Sequence, residues 1–277
     1  MKPKKILVIA NWKTTPDTLA EAKAKMAVIK RGVDKLKMTE TVICPPAPFI
    51  VPLSMMAGGP KGKIKIGSQD VSKFDSGAHT GEVSASMLKS SGVSYTIVGH
   101  SERRAQGEDA SLIAQKLQKV LAVGMTGIVC VGESERDSDA EYLTVIKNQL
   151  KEVLVYTSRQ QFANLVIAYE PLWAVNSARN NAISAHEVHQ IVILIRKFLK
   201  DNWGESIANI VKIVYGGSVT VDNAQDLVFN GEVDGLLIGR ASWQAEDLRG
   251  ICQSLNIVKK KPRIKSVKSK SAKSKKR

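Results

Sequence analysis

Three side chains far apart in the chain, Lys13, His100 and Glu170, are of types that suit proton transfer on a phosphorylated substrate. A carboxylate such as Glu170 can act as a general base. An imidazole such as His100 can donate or accept a proton near neutral pH. An ammonium such as Lys13 can offset developing negative charge. Asn11 stands beside Lys13 as a neutral donor, and Ser101 and Glu102 follow His100 directly. Two glycine-bearing turns, "YGGS" at 215–218 and "GRAS" at 239–242, offer backbone N–H groups of the kind that converge on phosphate. Taken singly, each feature has an ordinary reading: a structural histidine, a surface lysine, a loop glycine. "HEVH" at 186–189 resembles the helical zinc signature, but its histidines are three apart, not four, and no third ligand is evident. A solvated helix face is the better reading. Neither a metal site nor a cofactor is expected, because proton abstraction beside a carbonyl requires neither.

These residues need a frame that brings them to one place. Short β-branched runs recur at Ile6–Ala10, Thr41–Cys44, Ile64–Gly67, Tyr95–Gly99, Gly127–Val131, Leu165–Tyr169, Lys212–Tyr215 and Gly235–Gly239. They are apolar on both faces, as strands of a covered parallel sheet are. Helical periodicity fills the gaps, for example at Thr18–Leu36, Ser111–Val123, Glu141–Val155 and Ser184–Leu199, with Ser184 as an N-cap. Eight such alternations predict an α/β fold, a closed (β/α)8 barrel. A doubly wound open sheet would favour a glycine fingerprint after the first strand, and "VIANWKTTP" contains no glycine. In a barrel, polar residues just past the strand ends face one mouth. That rim collects Asn11, Lys13, Gln69, His100, Ser101, Glu102, Glu133, Glu170 and the two glycine turns.

Composition narrows the class. The 277 residues are 43% hydrophobic, enough for a large core. Cys44, Cys130 and Cys252 are few and widely spaced, and read as reduced thiols of a cytoplasmic protein. The run Ile6–Ala10 is too short for a signal peptide, and nothing approaches a transmembrane span. The net charge is +15, but residues 259–277 carry nine Lys, two Arg and no acid; without those 11 charges the rest is +4. The expected division is a barrel domain over 1–258 and a basic, disordered tail over 259–277. The tail reads as a solvated extension, with weak, salt-sensitive attraction to nucleic acid or an anionic surface as the sharper alternative. It has no aromatic residue for base stacking. Its deletion is expected to leave turnover nearly unchanged.

"NWK" (11–13), "TGEVS" (80–84), "VGHSERR" (98–104), "CVGE" (130–133), "AYEPLWA" (168–174), "YGGSV" (215–219) and "DGLLIGRAS" (234–242) stand in an order and spacing similar to those of the triosephosphate isomerase family. The resemblance runs from residue 5 to about 256. It implies interconversion of dihydroxyacetone phosphate and glyceraldehyde 3-phosphate through an enediol(ate), without a cofactor, in glycolysis and gluconeogenesis. It further implies Glu170 as base, His100 as electrophile, Lys13 as electrostatic stabiliser, Asn11 as donor and Glu102 as support. Phosphate contacts fall to Ser218, Gly239 and Arg240, with Asn176 from a lid that closes over the substrate. The lid tip departs from the family's usual Ile-Gly-Thr-Gly-Lys and reads Val175-Asn176-Ser177-Ala178-Arg179. An active enzyme with altered lid kinetics is the expectation; a barrel that binds sugar phosphate without turnover is the rival. Arg240 stands where the family usually has glycine. The loop 75–84 implies a homodimer, with Thr80 reaching the neighbouring site and Glu82 pairing with Arg103. Asp70 replaces a common Asn, and His79 a common aromatic.

Overall fold

In the computed structural model, which describes residues 5–136, 139–175 and 183–257, eight parallel strands close into a barrel in sequence order. They are β1 Ile6–Asn11, β2 Thr39–Cys44, β3 Ile64–Ser68, β4 Val93–Val98, β5 Thr126–Val131, β6 Leu165–Tyr169, β7 Lys212–Tyr215 and β8 Gly235–Ile238. β8 closes on β1 with Gly235 opposite Leu7, where an added methyl would run into the Leu7 carbonyl. The helices are α1 Leu19–Val33, α2 Ile50–Ala57, α3 Ala85–Ser90, α4 Ser101–Arg104, α5 Ala110–Ala122, α6 Glu141–Val153, α7 Leu172–Val175, α8 Ala185–Trp203, α9 Glu205–Ile210, α10 Ala224–Phe229 and α11 Ala245–Ser254.

Strand period fixes which residues face the mouth. Leu7 and Ile9 lie in the inner cluster with Ile97, Ile128, Ala168, Val214 and Leu237, whereas Val8 and Ala10 pack outward against the helices. Continuing the alternation past each strand end turns Asn11, Glu170, Gly216 and Gly239 toward the barrel axis. The opposite end is closed by polar side chains: the Tyr95 hydroxyl donates to Glu40 at 2.7 Å, and Lys212 reaches the other Glu40 oxygen at 3.4 Å.

The expected elements hold with shifted ends. The strand expected at Tyr95–Gly99 runs Val93–Val98, because Gly99 turns away at φ 67, a left-handed geometry that glycine adopts without strain. α8 extends past Leu199 to Trp203, and α1 stops at Val33. Ser184 caps α8 as expected, in a full capping box: its hydroxyl accepts from the Glu187 N–H at 3.2 Å, and Glu187 accepts from the Ser184 N–H at 2.8 Å. α2, α9 and α10 span eight residues or fewer, too short for a 3.6-residue period to stand out in the sequence.

Candidate active site

β1 delivers the first group. Lys13 sits two residues beyond Asn11 with φ 54, unusual for a residue with a side chain. Such a backbone costs on the order of 1–3 kcal/mol and persists where its surroundings over-determine it. Here the Lys13 N–H donates to Asn11 Oδ1 at 3.0 Å, and Gln69 Nε2 donates to the carbonyls of Lys13 at 2.8 Å and Cys44 at 3.0 Å. The Lys13 ammonium meets Glu102 Oε1 at 2.5 Å.

His100 caps the short α4, and its Nδ1 accepts the Glu102 N–H at 3.2 Å. A ring nitrogen that accepts carries no proton. The hydrogen bond thus assigns a neutral imidazole with its proton on Nε2. That Nε2 lies 3.4 Å from Glu170 Oε1. Arg104 fixes the segment, donating from Nε to the Gly99 carbonyl at 2.9 Å and from a terminal nitrogen to the Cys130 carbonyl at 3.1 Å.

Glu170 is 2% exposed, and its N–H donates to the Val131 carbonyl at 2.8 Å. The Ser101 N–H approaches its Oε2 at 3.5 Å. Two glycines make room for it. A methyl on Gly216 would stand 2.7 Å from Glu170 Cγ, and one on Gly132 would overlap the Glu170 carbonyl. Cys130 lies against the carboxylate; burial, and then the Glu170 charge, push its thiol up, so it stays protonated.

Behind Glu170, Glu133 is 1% exposed and accepts from Tyr169 Oη at 2.9 Å and Trp173 Nε1 at 3.0 Å. Its carbonyl takes the Leu172 N–H at 2.9 Å. Burial, then the Glu133 charge, push the Tyr169 phenol up and keep it a donor. Arg136 lies 5.4 Å from the Trp173 ring centre and pairs with Glu187 at 2.8 Å. The segment that leads into the expected lid is thus anchored at its near end; Asn176 and the rest of the lid tip lie outside the described residues, as does the basic tail.

Asn11, Lys13, His100 and Glu170 line one cavity of about 1240 Å³, together with Glu102, Ser218, Gly239 and Arg240. Ser218 is braced by Asn223, whose Nδ2 donates to its carbonyl at 3.0 Å. Ser242 ties the β8 turn to β1 through the Gly239 carbonyl at 2.7 Å and the Asn11 carbonyl at 3.3 Å. Among the described residues, no cluster of three or more His, Cys, Asp or Glu side chains is arranged to hold a metal. A buried base, a neutral donor 3.4 Å away and a cation beside them suit proton transfer at a carbon next to a carbonyl.

A family profile described as "Triosephosphate isomerase" matches residues 6–255. The chain belongs to the triosephosphate isomerase family. Relatives of that name include one from Alcanivorax borkumensis, 40% identical over 253 residues that cover 90% of this chain and 97% of the relative. Another, from Colwellia psychrerythraea, is 37% identical over 256 residues, 90% of this chain and 96% of the relative. The crystal structure of the Bartonella henselae triosephosphate isomerase superposes with a TM-score of 0.79 at 31% identity, covering 90% of this chain and 98% of that one. Within this family frame, Lys13, Asn11, His100, Glu102 and Glu170 all reach one mouth, as do Ser218, Gly239 and Arg240. Within the chain Arg103 bonds Glu108 at 2.7 Å and Asp70 at 3.0 Å, and the Glu82 charge also acts on it. The Cys130 contact and the clasp of Glu133, Tyr169 and Trp173 were not among the expected roles. Their signal was present in "CVGE" and "AYEPLW", whose glycine and aromatic residues now have structural reasons.

Proposed function

We propose that Glu170 removes a proton from the carbon beside the carbonyl of a triose phosphate, while the His100 Nε2–H donates to the carbonyl oxygen. The chain interconverts dihydroxyacetone phosphate and D-glyceraldehyde 3-phosphate, an aldose–ketose isomerisation. The enediol(ate) charge is met by Lys13 and Asn11, and His100 then passes a proton between the two oxygens. Glu102 orients Lys13 through their 2.5 Å contact. Phosphate rests against the turns at Ser218 and Gly239–Arg240, with Asn176 closing from the lid. Glu170 is buried at the mouth, where substrate filling the cavity would exclude water from the reacting atoms. The observation that carries this reading is the 3.4 Å approach of a 2%-exposed carboxylate to a neutral imidazole donor. A coupled assay with glyceraldehyde 3-phosphate tests it: the purified chain turns over, and Glu170→Gln loses at least a thousandfold. A folded wild-type chain without turnover would favour the non-catalytic sugar-phosphate binder.

The working unit is a homodimer formed through residues 75–84. The loop is preformed: Phe74 stacks on His79 with ring centres 3.7 Å apart, and the Ser72 N–H closes its base on the Val83 carbonyl at 2.9 Å. Met87, 52% exposed on α3 just after the loop, is apolar surface that a second copy would cover. Sedimentation velocity at micromolar concentration reads this as twice the 30.1 kDa chain mass; a monomer at every concentration would contradict it. No described helix is long and apolar enough to cross a membrane. The cytoplasm, with a role in glycolysis and gluconeogenesis, suits this chemistry. The barrel domain ends near residue 258, and the tail 259–277 is a separate basic extension with weak affinity for polyanions. A salt-dependent nucleic-acid gel shift lost on truncation reads that affinity.

A further inference from the structure

The barrel end opposite the mouth carries charge that the isomerisation does not use. Strands β1, β2 and β3 begin there side by side, with Ile6 paired to Thr39 and Thr41 to Ile64. The segments that feed them, residue 5, residues 30–40 and residues 58–65, hold eight Lys or Arg and two acids. That excess of six is larger than the +4 of residues 1–258 as a whole, so this edge is basic while the remainder is slightly acidic. Both acids are already engaged: Asp34 takes Lys30 at 2.7 Å, and Glu40 takes Tyr95 at 2.7 Å and Lys212 at 3.4 Å. Lys5, Arg31, Lys35, Lys37 and Lys61 are exposed, and among the described residues none of these five has an acidic partner. Lys63 donates to the Asp34 carbonyl, a neutral acceptor that leaves its charge uncompensated.

Hydrogen bonds staple these segments into one surface. The Ile6 N–H donates to the Met38 carbonyl at 2.8 Å, and Lys63 ties the approach to β3 to the end of α1. The end of the barrel domain joins them: Asn256 Oδ1 accepts from the Lys37 and Met38 N–H groups, both at 2.9 Å. The chain that carries the 11 cations of residues 259–277 thus leaves the barrel at this edge and not at the mouth. Among the described residues, 30–40 and 58–65 expose no aromatic or large apolar side chain. Nothing there inserts into a bilayer or stacks on an unpaired base, which leaves a rigid polyphosphate as the surface it suits. Lysine predominates, a point charge that meets phosphates without reading bases.

We infer that this edge of the barrel, together with the tail that continues from it, docks on double-stranded nucleic acid through the phosphate backbone, without sequence preference, and leaves the catalytic mouth free. The inference rests on the proposed attraction of the tail for polyanions and extends it to the folded barrel. A duplex carries one charge per about 1.7 Å of axis. Each phosphate neutralised releases counterions, so affinity falls with salt by about 0.9 per contact on logarithmic axes. The backbone under the barrel lysines is already ordered, so their contacts cost only side-chain entropy.

The test follows the anisotropy of a labelled, mixed-sequence DNA duplex of about 25 base pairs as salt rises from about 20 to about 150 mM. The full chain is compared with its Lys35→Gln/Lys37→Gln/Lys61→Gln variant, and both with their counterparts lacking 259–277; isomerase turnover reports that each is folded. In the full chain the triple substitution flattens the salt slope by up to about 2.7, so a threefold drop in salt gains it roughly 20-fold less affinity than it gains the wild-type chain. Deleting 259–277 abolishes binding near ~150 mM salt and leaves a remnant near ~20 mM that the triple substitution removes. Scrambling the duplex sequence changes nothing, kcat and KM of the triple variant stay as in the wild-type chain, and saturating duplex does not inhibit turnover. A full-length triple variant with wild-type slope and affinity overturns the inference and leaves the tail reading standing. Phosphatidylserine vesicles that bind the chain more tightly than duplex at equal charge overturn it as well, as does duplex that competes with triose phosphate. Absence of duplex binding by the full chain even near ~20 mM salt instead removes the tail reading on which it rests.

Discussion

Gly216→Ala adds one methyl group to the barrel mouth and aims it at the proposed base. Gly216 follows the inward-facing Val214 at the end of β7, so the new Cβ points at the axis, 2.7 Å from Glu170 Cγ and 3.2 Å from Oε1. Nonbonded carbons settle at about 3.5–4.0 Å, so one side must give by about 1 Å. The β7 backbone is held in the barrel between β6 and β8, with the Gly216 N–H donating to the Tyr169 carbonyl at 2.8 Å. The glutamate side chain, kept by contacts of 3.4 and 3.5 Å to His100 and Ser101, is the softer partner. The carboxylate therefore moves, and a misplacement of about 1 Å costs on the order of 100-fold in rate. The expected result is a kcat lower by about that factor with KM within about threefold, in a fold destabilised by about 1–3 kcal/mol through overpacking. The coupled isomerase assay reads the first, and urea titration the second. In a Glu170→Gln background the same methyl should cost almost nothing further, because there is no base left to displace. Full kcat in Gly216→Ala, or equal losses in both backgrounds, would refute the placement of the base.

Two further outcomes follow from charges that take no part in the proposed proton transfer. Lys116 is 5% exposed between Asp70 at 2.7 Å and Glu108 at 2.5 Å, and Lys116→Met leaves Arg103 as their remaining cation, so it should cost about 1.5–3 kcal/mol; denaturant titration at fixed protein concentration checks it, and a loss under about 0.5 kcal/mol would contradict it. Burial lowers the Lys25 pKa from 10.5 to about 8, so between those values the unfolded chain holds more protons and stability from this site rises with pH. The Trp12 ring at 4.4 Å favours the ammonium and opposes that cost, but such contacts at half-exposed sites contribute only about 0.5–1 kcal/mol. Lys25→Met should therefore raise Tm at pH 7, with a gain that shrinks as pH climbs from 8 to 10.5; a lower Tm at pH 7 would mean that the ring contact dominates.

The site was legible where it depends on one strand and its period. Asn11, Glu170 and Gly239 follow apolar runs whose alternation turns them inward, so barrel and mouth could be read together. Ser184 and Glu187 likewise announce the start of α8 within four residues. What could not be read is contact between distant segments. The reason Gly216 must be glycine lies in the side chain of a residue 46 positions earlier, and nothing in "YGGS" separates that need from a phosphate turn. Glu133 was placed on the rim, yet its partners Tyr169 and Trp173 arrive from β6 and α7. Arg103 meets Asp70, after β3, and Glu108, before α5, at 3.0 and 2.7 Å, partners that two other segments bring in.

Whether Glu170 takes a proton from carbon is answered most directly by running the isomerisation in D2O and following the carbon-bound positions by NMR. A carboxylate that holds the abstracted proton in a cavity open to water exchanges part of it with solvent. The product should therefore carry deuterium on the reacting carbon, and Glu170→Gln should lose incorporation and turnover together. Product that forms with no solvent deuterium in the wild-type chain, and just as fast in Glu170→Gln, would mean that Glu170 is not the base.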